Sequence, residues 1–283
     1  MKKFREGFMQ VLFMLSALVS IIAVALICIF LFANGVPAIR EIGLVDFLTG
    51  TSWKPEQNIY GILPMIIGSI YVTAGAMLIG VPIGILTALF LVHFCPAGLY
   101  RFLKPAVDLL AGIPSIVYGF FGLTVIVPAI RNGHGGSGSS MLAASVVLGI
   151  MILPTIINVS ESAIRAVPES YYEGSLALGA SHERSVFFTV LPAAKSGVFA
   201  AVILGMGRAV GETMAVIMVA GNQTAMPGGP LQGLRTLTAN IVLEMAYAAD
   251  LHRGALIATA VVLFVFILII NLSFSLLKRR AKL

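Results

Sequence analysis

Residues 173–192 read EGSLALGASHERSVFFTVLP and form the longest polar interruption in the second half of a very apolar chain. Gly179 tolerates the left-handed backbone conformation that commonly ends a helix, so it predicts the end of a first short helix. Pro192 suits the start of a following helix, where its missing N–H leaves no hydrogen bond unmade. The pattern predicts a short helix, a turn and a second helix, lying outside a membrane and suited to docking a soluble partner.

The composition is typical of a membrane protein. Of 283 residues, 59% are hydrophobic and only 11% are charged, whereas soluble globular proteins carry about 25% charged residues. The net charge is +6, but no basic stripe or aromatic platform indicates a nucleic-acid partner. Cys28 and Cys95 sit in or beside apolar segments without metal-ligand spacing, which predicts buried thiols rather than a disulfide or a zinc site.

Several apolar segments are long enough to cross a bilayer, which takes about 20 residues. The segment 59–100 carries no formal charge, and as one helix it would be roughly 63 Å long. It could therefore cross twice around residues 80–82, or cross once as a bent helix. With the single crossing, the predicted spans are 11–33, one bent span within 59–100, 105–130, 141–160, 194–220 and 254–277.

The distribution of positive charge decides between one and two crossings. Cytoplasmic segments carry an excess of Lys and Arg, and both ends of this chain are basic. The terminal cations are Lys2, Lys3, Arg5, Lys278, Arg279, Arg280 and Lys282. Both termini are therefore expected in the cytoplasm, which requires an even number of crossings. The prediction is an all-α membrane protein with six transmembrane helices and with residues 173–192 in the cytoplasm.

Two loops on the opposite side are also predicted. Residues 34–58 are mixed and polar around Trp53, which suggests an external loop with an interfacial helix and a Trp side chain at headgroup depth. Residues 131–140 are rich in Gly and Ser, which predicts a flexible connection.

Arg208 is the most informative charge inside a predicted span. It lies about 14 residues into the fifth span, or roughly 21 Å from the cytoplasmic end. A charge there costs at least about 2.5–3.5 kcal/mol, so it should face the bundle interior or a watery path. Glu212 follows one turn later and can partly neutralise it. Because arginine offers paired donors to an oxyanion, a translocation path is favoured; the alternative is an intrahelical ion pair that fixes helix packing.

Asp108 lies near the predicted cytoplasmic start of the third span. It can pair with Lys104 one turn earlier, or it can face the path or a neighbouring helix, and both interpretations stay open. Breaks at Pro82, Pro114 and Pro154 fit membrane helices that line a cavity, where freed backbone groups can find new partners. Proline is also simply common in membrane helices.

The sequence carries no Walker-type GxxxxGK[ST], HExxH or GxSxG motif. Its four histidines are scattered along the chain rather than grouped. The sequence therefore predicts no catalytic residue, no metal site and no cofactor bound by this chain.

Residues 173–192 resemble the cytoplasmic loop of permease subunits of bacterial ABC importers, which reads Glu-Ala-Ala, three residues, Gly, nine residues, Ile-x-Leu-Pro. The residues that match this spacing without gaps are Glu173, Gly179, Leu191 and Pro192. Those that depart from it are Gly174 and Ser175, which replace alanines, and Thr189, which replaces the isoleucine. The replacements for alanine remain small, although Gly174 weakens the helix by about 1 kcal/mol. The resemblance implies that Glu173, Gly174, Ser175, Gly179, Leu191 and Pro192 couple the chain to an ATPase.

Other segments narrow the resemblance. LAGIPSIVYG at 110–119 is similar to the third span of phosphate-importer permeases. GRAVGETMAV at 207–216, followed by AGN at 220–222, resembles the fifth span of the PstC-type subunit in particular. LRTLT at 234–238 and EMAY at 244–247 fit the external loop of the same subunit.

This resemblance, which covers most of the chain from about Gly61 onward, implies the type I ABC importer permease fold. Residues 1–60 would form the cytoplasmic tail, first helix and external loop, and 61–283 the permease core with a coupling loop at 161–193. It implies a multi-pass protein of the bacterial inner membrane whose partners are a homologous PstA-type permease, two ATPase subunits that bind ATP and Mg, and an external phosphate-binding protein. Arg208 and Glu212 are then implicated in phosphate passage, with Asp108 and Asn222 as further path or packing residues.

Alternatives remain at two levels. One buried arginine does not choose among oxyanions, so a permease for tungstate, molybdate or sulfate is the second candidate. A secondary transporter often shows two matched halves with broken helices, and no such internal repeat is visible. A membrane receptor or scaffold would explain the docking loop but not Arg208.

Overall fold

The computed structural model describes residues 2–280, and most of these residues are helical. Lys282, one of the terminal cations, lies outside the described residues. The helices are α1 (Lys2–Ile42), α2 (Leu44–Thr49), α3 (Leu63–Leu89), α4 (Ala97–Gly112), α5 (Ser115–Phe121), α6 (Val127–His134), α7 (Met141–Arg165), α8 (Glu169–Ala177), α9 (His182–Ser185), α10 (Leu191–Ala193), α11 (Lys195–Gly211), α12 (Met214–Val219), α13 (Leu237–Glu244) and α14 (Asp250–Arg280). A two-stranded antiparallel ribbon, β1 (Trp53–Lys54) and β2 (Ile59–Tyr60), lies between α2 and α3.

Within the described residues, five helices are long and apolar enough to cross a membrane. They are Phe8–Ile42, Leu63–Phe94, Ser115–His134, Met141–Arg165 and Asp250–Ser273. A sixth span arises if His182–Ala193 and Lys195–Gly211, which meet at an angle of 71°, count as one. The prediction of an all-α membrane protein with six spans is confirmed.

The segment 59–100 crosses once, as predicted, but without a break at residues 80–82. The helix α3 continues through Pro82 and ends in a π-helical turn, Phe90–Phe94. Gly80 and Gly84 instead allow close packing, because a Cβ at either position would lie 2.7 Å from Ile152 or Ile156 of α7. These glycines therefore bring α3 and α7 together at the centre of the bundle.

The predicted third span, 105–130, is wrong at its start. The helix α4 ends at Gly112, Ile113 is extended with ψ of 126°, and the apolar span begins at Ser115. The reason is steric, because the residue before a proline is pushed out of the helical region, here by Pro114. Asp108 therefore lies on a separate helix. At the other end, α6 runs to His134 and shortens the predicted loop at 131–140.

Residues 2–280 contain three π-helical turns, and each ends two residues before a proline. The pairs are Phe90–Phe94 with Pro96, Gly122–Ile126 with Pro128, and Val186–Val190 with Pro192. A proline has no N–H to donate, and its ring collides with the carbonyl group four residues earlier. A π turn, in which the hydrogen bond reaches back five residues, relieves that conflict in the preceding turn.

The connections gather at two opposite ends of the bundle. At one end, the Ser140 N–H donates to the Val219 carbonyl over 3.0 Å, and the Trp53 indole donates to Glu244 over 2.8 Å. These bonds join the loops 43–62, 135–140 and 220–249. At the other end, the Tyr100 hydroxyl donates to Glu161 over 2.8 Å, which joins α4 to the end of α7.

Trp53 does not occupy the interfacial position that the sequence predicted. Its side chain is 5% exposed, and its ring packs edge-on against Tyr60 with centroids 5.5 Å apart. The carboxylate of Glu244 accepts hydrogen bonds from Trp53, from Arg235 and from His252. Because a protein acceptor satisfies the indole N–H, Trp53 anchors the loop 43–62 inside the protein rather than at headgroup depth.

Candidate functional site

The helix–turn–helix predicted for residues 173–192 is confirmed as α8, a turn, and α9 continuing into a π turn. Gly179 has φ of +90°. Its N–H donates to the Leu176 carbonyl over 2.9 Å, and the Ala180 N–H donates to the Ser175 carbonyl over 3.2 Å. This pair of bonds is the Schellman motif, which satisfies the last carbonyls of a helix and needs a left-handed residue at its centre.

The outer surface of this loop is open and partly apolar. Glu173, Gly174 and Gly179 are exposed, and a Cβ at either glycine would meet no atom within 4 Å. Leu178 is 91% exposed and Phe188 is 77% exposed. Exposed large apolar side chains are typical of surfaces that bind a partner.

Two departures from the family pattern, Ser175 and Thr189, lie in contact. Ser175 Oγ accepts hydrogen bonds from Ser185 Oγ over 3.0 Å and from Thr189 Oγ1 over 3.3 Å. Hydroxyl groups therefore join α8 to the π turn. Both replacements were visible in the sequence, but the contact between Ser175 and Thr189 was not.

Aromatic contacts anchor the loop to the end of the Leu63–Phe94 span. Tyr172 Oη and His182 Nδ1 are 2.6 Å apart, and the rings of Phe94 and His182 have centroids 4.7 Å apart. On the other side, Leu191 and Pro192 lie immediately before the 71° bend into α11. The loop is therefore attached to two spans at once. Sequence reasoning missed the aromatic anchor because Phe94 and His182 are far apart in the chain.

Arg208 lies on α11, one turn before that helix ends at Gly211. Its guanidinium Nη1 donates to Thr155 Oγ1 of α7 over 3.1 Å, and its side chain is partly exposed. The helix break that follows is where a membrane helix exposes polar groups, which is tolerated only inside protein or beside water.

Glu212 does not continue the helix of Arg208, contrary to the expectation from sequence. Its backbone is extended with ψ of 134°, and its Oε1 accepts a hydrogen bond from the Ala215 N–H over 3.1 Å. Among the described residues, Arg208 and Glu212 form no ion pair. The carboxylate caps the start of α12, which leaves the guanidinium charge available.

Asp108 belongs to a charged cluster between α4 and α7. Its carboxylate lies 3.2 Å from Lys104 Nζ and accepts a hydrogen bond from Asn158 over 3.0 Å. Lys104 also lies 3.0 Å from the buried Glu161. Burial by itself lowers the pKa of Lys104, but hydrogen bonds to Glu161 and Asp108 outweigh burial and raise that pKa above its usual value. The cluster holds α4 against α7.

Asn222 lies in the loop that follows α12 and is hydrogen-bonded there rather than to Arg208. Its backbone is left-handed, with φ of +52°. Its side chain donates to the Ile217 carbonyl over 2.8 Å, and its own carbonyl accepts from Arg235 Nε over 3.1 Å. These bonds close the turn at the end of the fifth span.

Among residues 2–280, no three His, Cys, Asp or Glu side chains are grouped as a metal site. Cys28 and Cys95 are free thiols, and both are partly exposed rather than buried as the sequence predicted.

Comparison with known proteins places this geometry in a family. The family described as binding-protein-dependent transport system inner membrane component matches residues 80–283. The probable ABC transporter permease protein YqgH of Bacillus subtilis is 41% identical over 266 residues, covering 90% of this chain and 86% of that protein. The phosphate transport system permease protein PstC of Mesorhizobium japonicum is 34% identical over 276 residues, covering 90% and 84%.

Solved structures share the fold at lower sequence similarity. A chain of a bacterial alginate ABC transporter superposes with a TM-score of 0.62 at 15% identity, covering 93% of this chain and 94% of that one. A chain of the MetNI methionine ABC transporter gives a TM-score of 0.61 at 20% identity, covering 81% and 99%. The spans, the docking loop and these matches agree: the chain belongs to the family of binding-protein-dependent transport system inner membrane components, the permeases of ABC importers, and resembles its PstC-type members.

Proposed function

We propose that this chain is the permease subunit of an ATP-driven importer that moves inorganic phosphate into the cytoplasm. The observation that carries the proposal is Arg208, a partly exposed guanidinium at the broken end of a membrane helix. It offers a permanent charge and several donors to an oxyanion, and Glu212 does not neutralise it. Relatives named as phosphate transport permeases support phosphate as the anion.

In this proposal the end of the bundle that carries residues 166–194 faces the cytoplasm, as do both termini. The basic residues at both ends of the chain support this orientation, because cytoplasmic segments carry an excess of Lys and Arg. The loops 43–62, 135–140 and 220–249 then face the exterior, where an external phosphate-binding protein would deliver the anion.

The chain would act with a related PstA-type permease and two ATPase subunits, which bind ATP and Mg and carry out hydrolysis. The exposed apolar side chains of Leu178 and Phe188 support residues 173–192 as the ATPase contact. Closure of the ATPases around ATP would push this loop. Its attachments to the Leu63–Phe94 span and to α11 would then bias the permease pair between outward- and inward-facing states.

Phosphate uptake in cells that lack this protein tests the substrate. Wild type is expected to restore uptake of labelled phosphate, and excess sulfate, molybdate or tungstate is expected not to compete. Competition by one of these anions would favour the second candidate, a permease for that oxyanion. Failure to restore any phosphate uptake would contradict the proposed substrate.

Two glycines in α8 and its cap offer a matched test of the coupling loop. Gly179→Ala places a side chain at φ of +90°, which costs about 1–2 kcal/mol, so we expect the turn to distort and less ATPase to stay on the membrane. Gly174→Ala lies within α8 in open space, where alanine favours the helix by about 1 kcal/mol, so retention should not fall. Equal retention in both variants would contradict the role of this turn.

A further inference from the structure

Thr155 and Arg208 form a polar contact between two membrane helices. Arg208 Nη1 lies 3.1 Å from Thr155 Oγ1, and both side chains are partly exposed. A guanidinium has five N–H donors and no acceptor, so the threonine oxygen accepts this bond. The hydroxyl proton of Thr155 is therefore left for another acceptor.

Several hydroxyl groups on the long helices donate to their own backbone, whereas Ser145 of α7 donates to the Val72 carbonyl of α3. Ser162 donates to the Asn158 carbonyl over 2.9 Å, and Thr259 donates to the Ala255 carbonyl over 2.8 Å. This bond to the carbonyl four residues earlier is the usual state of Ser and Thr within helices. For Thr155, the hydrogen bond recorded within the described residues is the one from Arg208. Its proton is free for a ligand.

The surroundings of Arg208 leave room for that ligand. Gly207 precedes Arg208, and Gly211 follows one turn later. A Cβ built at either glycine would meet no atom within 4 Å. No described atom packs against α11 at these two glycines, so an anion can approach α11 there without displacing a side chain.

We propose that Thr155 and Arg208 together form the oxyanion-binding site of the translocation path. The Thr155 oxygen fixes the guanidinium, and the Thr155 hydroxyl donates to one oxygen of a tetrahedral anion whose other oxygens accept from Arg208. This inference rests on the proposed function and adds Thr155 to it. It also explains why the hydroxyl is not bonded within α7.

Three variants of the complete transporter, reconstituted in vesicles with its binding protein and inorganic phosphate, test the inference. Thr155→Val keeps the shape of the side chain and removes the hydroxyl, so transported phosphate per ATP hydrolysed should fall about tenfold, the loss of a hydrogen bond to a charged group. Thr155→Ser keeps the hydroxyl and should transport like wild type. Thr259→Val, the same substitution at a hydroxyl bonded within its own helix, is the matched control and should also transport like wild type.

The inference is overturned if Thr155→Val transports like wild type, or if Thr155→Ser is equally impaired, because the methyl group would then be what matters. It is also overturned if Thr155→Val loses assembled complex in proportion to transport, which a packing role predicts. Failure of the proposed function looks different. In that case Arg208→Ala itself transports phosphate normally. If Arg208→Ala loses transport while Thr155→Val transports normally, only Thr155 is removed from the proposed site.

Discussion

Arg208→Ala is expected to lower phosphate uptake about a hundredfold or more, because several hydrogen bonds to a charged group are lost together. The complex should still assemble. Burying a charge at mid-membrane costs at least about 2.5–3.5 kcal/mol, so its removal does not weaken the fold, and Glu212 loses no partner because it caps α12. Among the residues that the structure describes, Thr155 is the one that loses a hydrogen bond to this side chain.

Arg208→Lys separates charge from geometry in the same experiment. Lysine keeps the positive charge but replaces a planar fork of five donors by a single ammonium group, so partial uptake is expected. Uptake and the amount of assembled complex are measured together in cells that lack the wild-type protein. Normal uptake by Arg208→Ala would show that the charge serves packing only.

Glu244→Ala is expected to have the largest effect on stability. It should lower the free energy of unfolding by about 3–5 kcal/mol, because it breaks a buried charged network. The Glu244 side chain is 8% exposed, and those of Arg235 and His252 are 14% exposed. Trp53 also loses the acceptor of its indole N–H. Three donors that water hardly reaches are left without their carboxylate, so the loop 43–62 should detach from α13 and α14.

The thermal unfolding midpoint of the purified protein in detergent measures this loss. Glu244→Gln should fall between alanine and wild type, because its amide oxygen still accepts one hydrogen bond while the charge is gone. Glu56→Ala, on the same face of the molecule but exposed, is the control and should leave the midpoint unchanged. An unchanged midpoint in Glu244→Ala would show that the network contributes nothing to the fold.

The sequence predicted the spans because crossing a bilayer imposes a length and an apolar composition that a single segment displays by itself. The end of α8 was predictable for a similar reason, since Gly179 meets a backbone requirement within six residues of chain. The start of the third span was not, because Pro114 can interrupt a span or precede one. The structure shows that Pro114 precedes the span, because Ile113 lies between two separate helices, α4 and α5.

The polar clusters were not predictable because they join segments that are far apart in the chain. Thr155 and Arg208 are separated by 53 positions, and Trp53 and Glu244 by 191. Each of these residues, taken alone, has several possible partners. Trp53 illustrates the point, because an aromatic residue in a polar loop suits the membrane interface until a buried carboxylate is found beside it.

The π turn at Val186–Val190 has a consequence for how motion would be transmitted. It contains one extra residue relative to an α turn, and one residue rotates a helix by about 100°. The π turn at Val186–Val190 therefore helps to determine which face α9 presents to a partner, in addition to the 71° bend before α11. If that turn relaxed to α-helical geometry, α9 would rotate about its axis, and His182 of α9 would lose its contacts with Tyr172 and Phe94. Pro192 opposes that relaxation, because its ring disfavours an α-helical preceding turn. The proline therefore fixes the rotational orientation of α9.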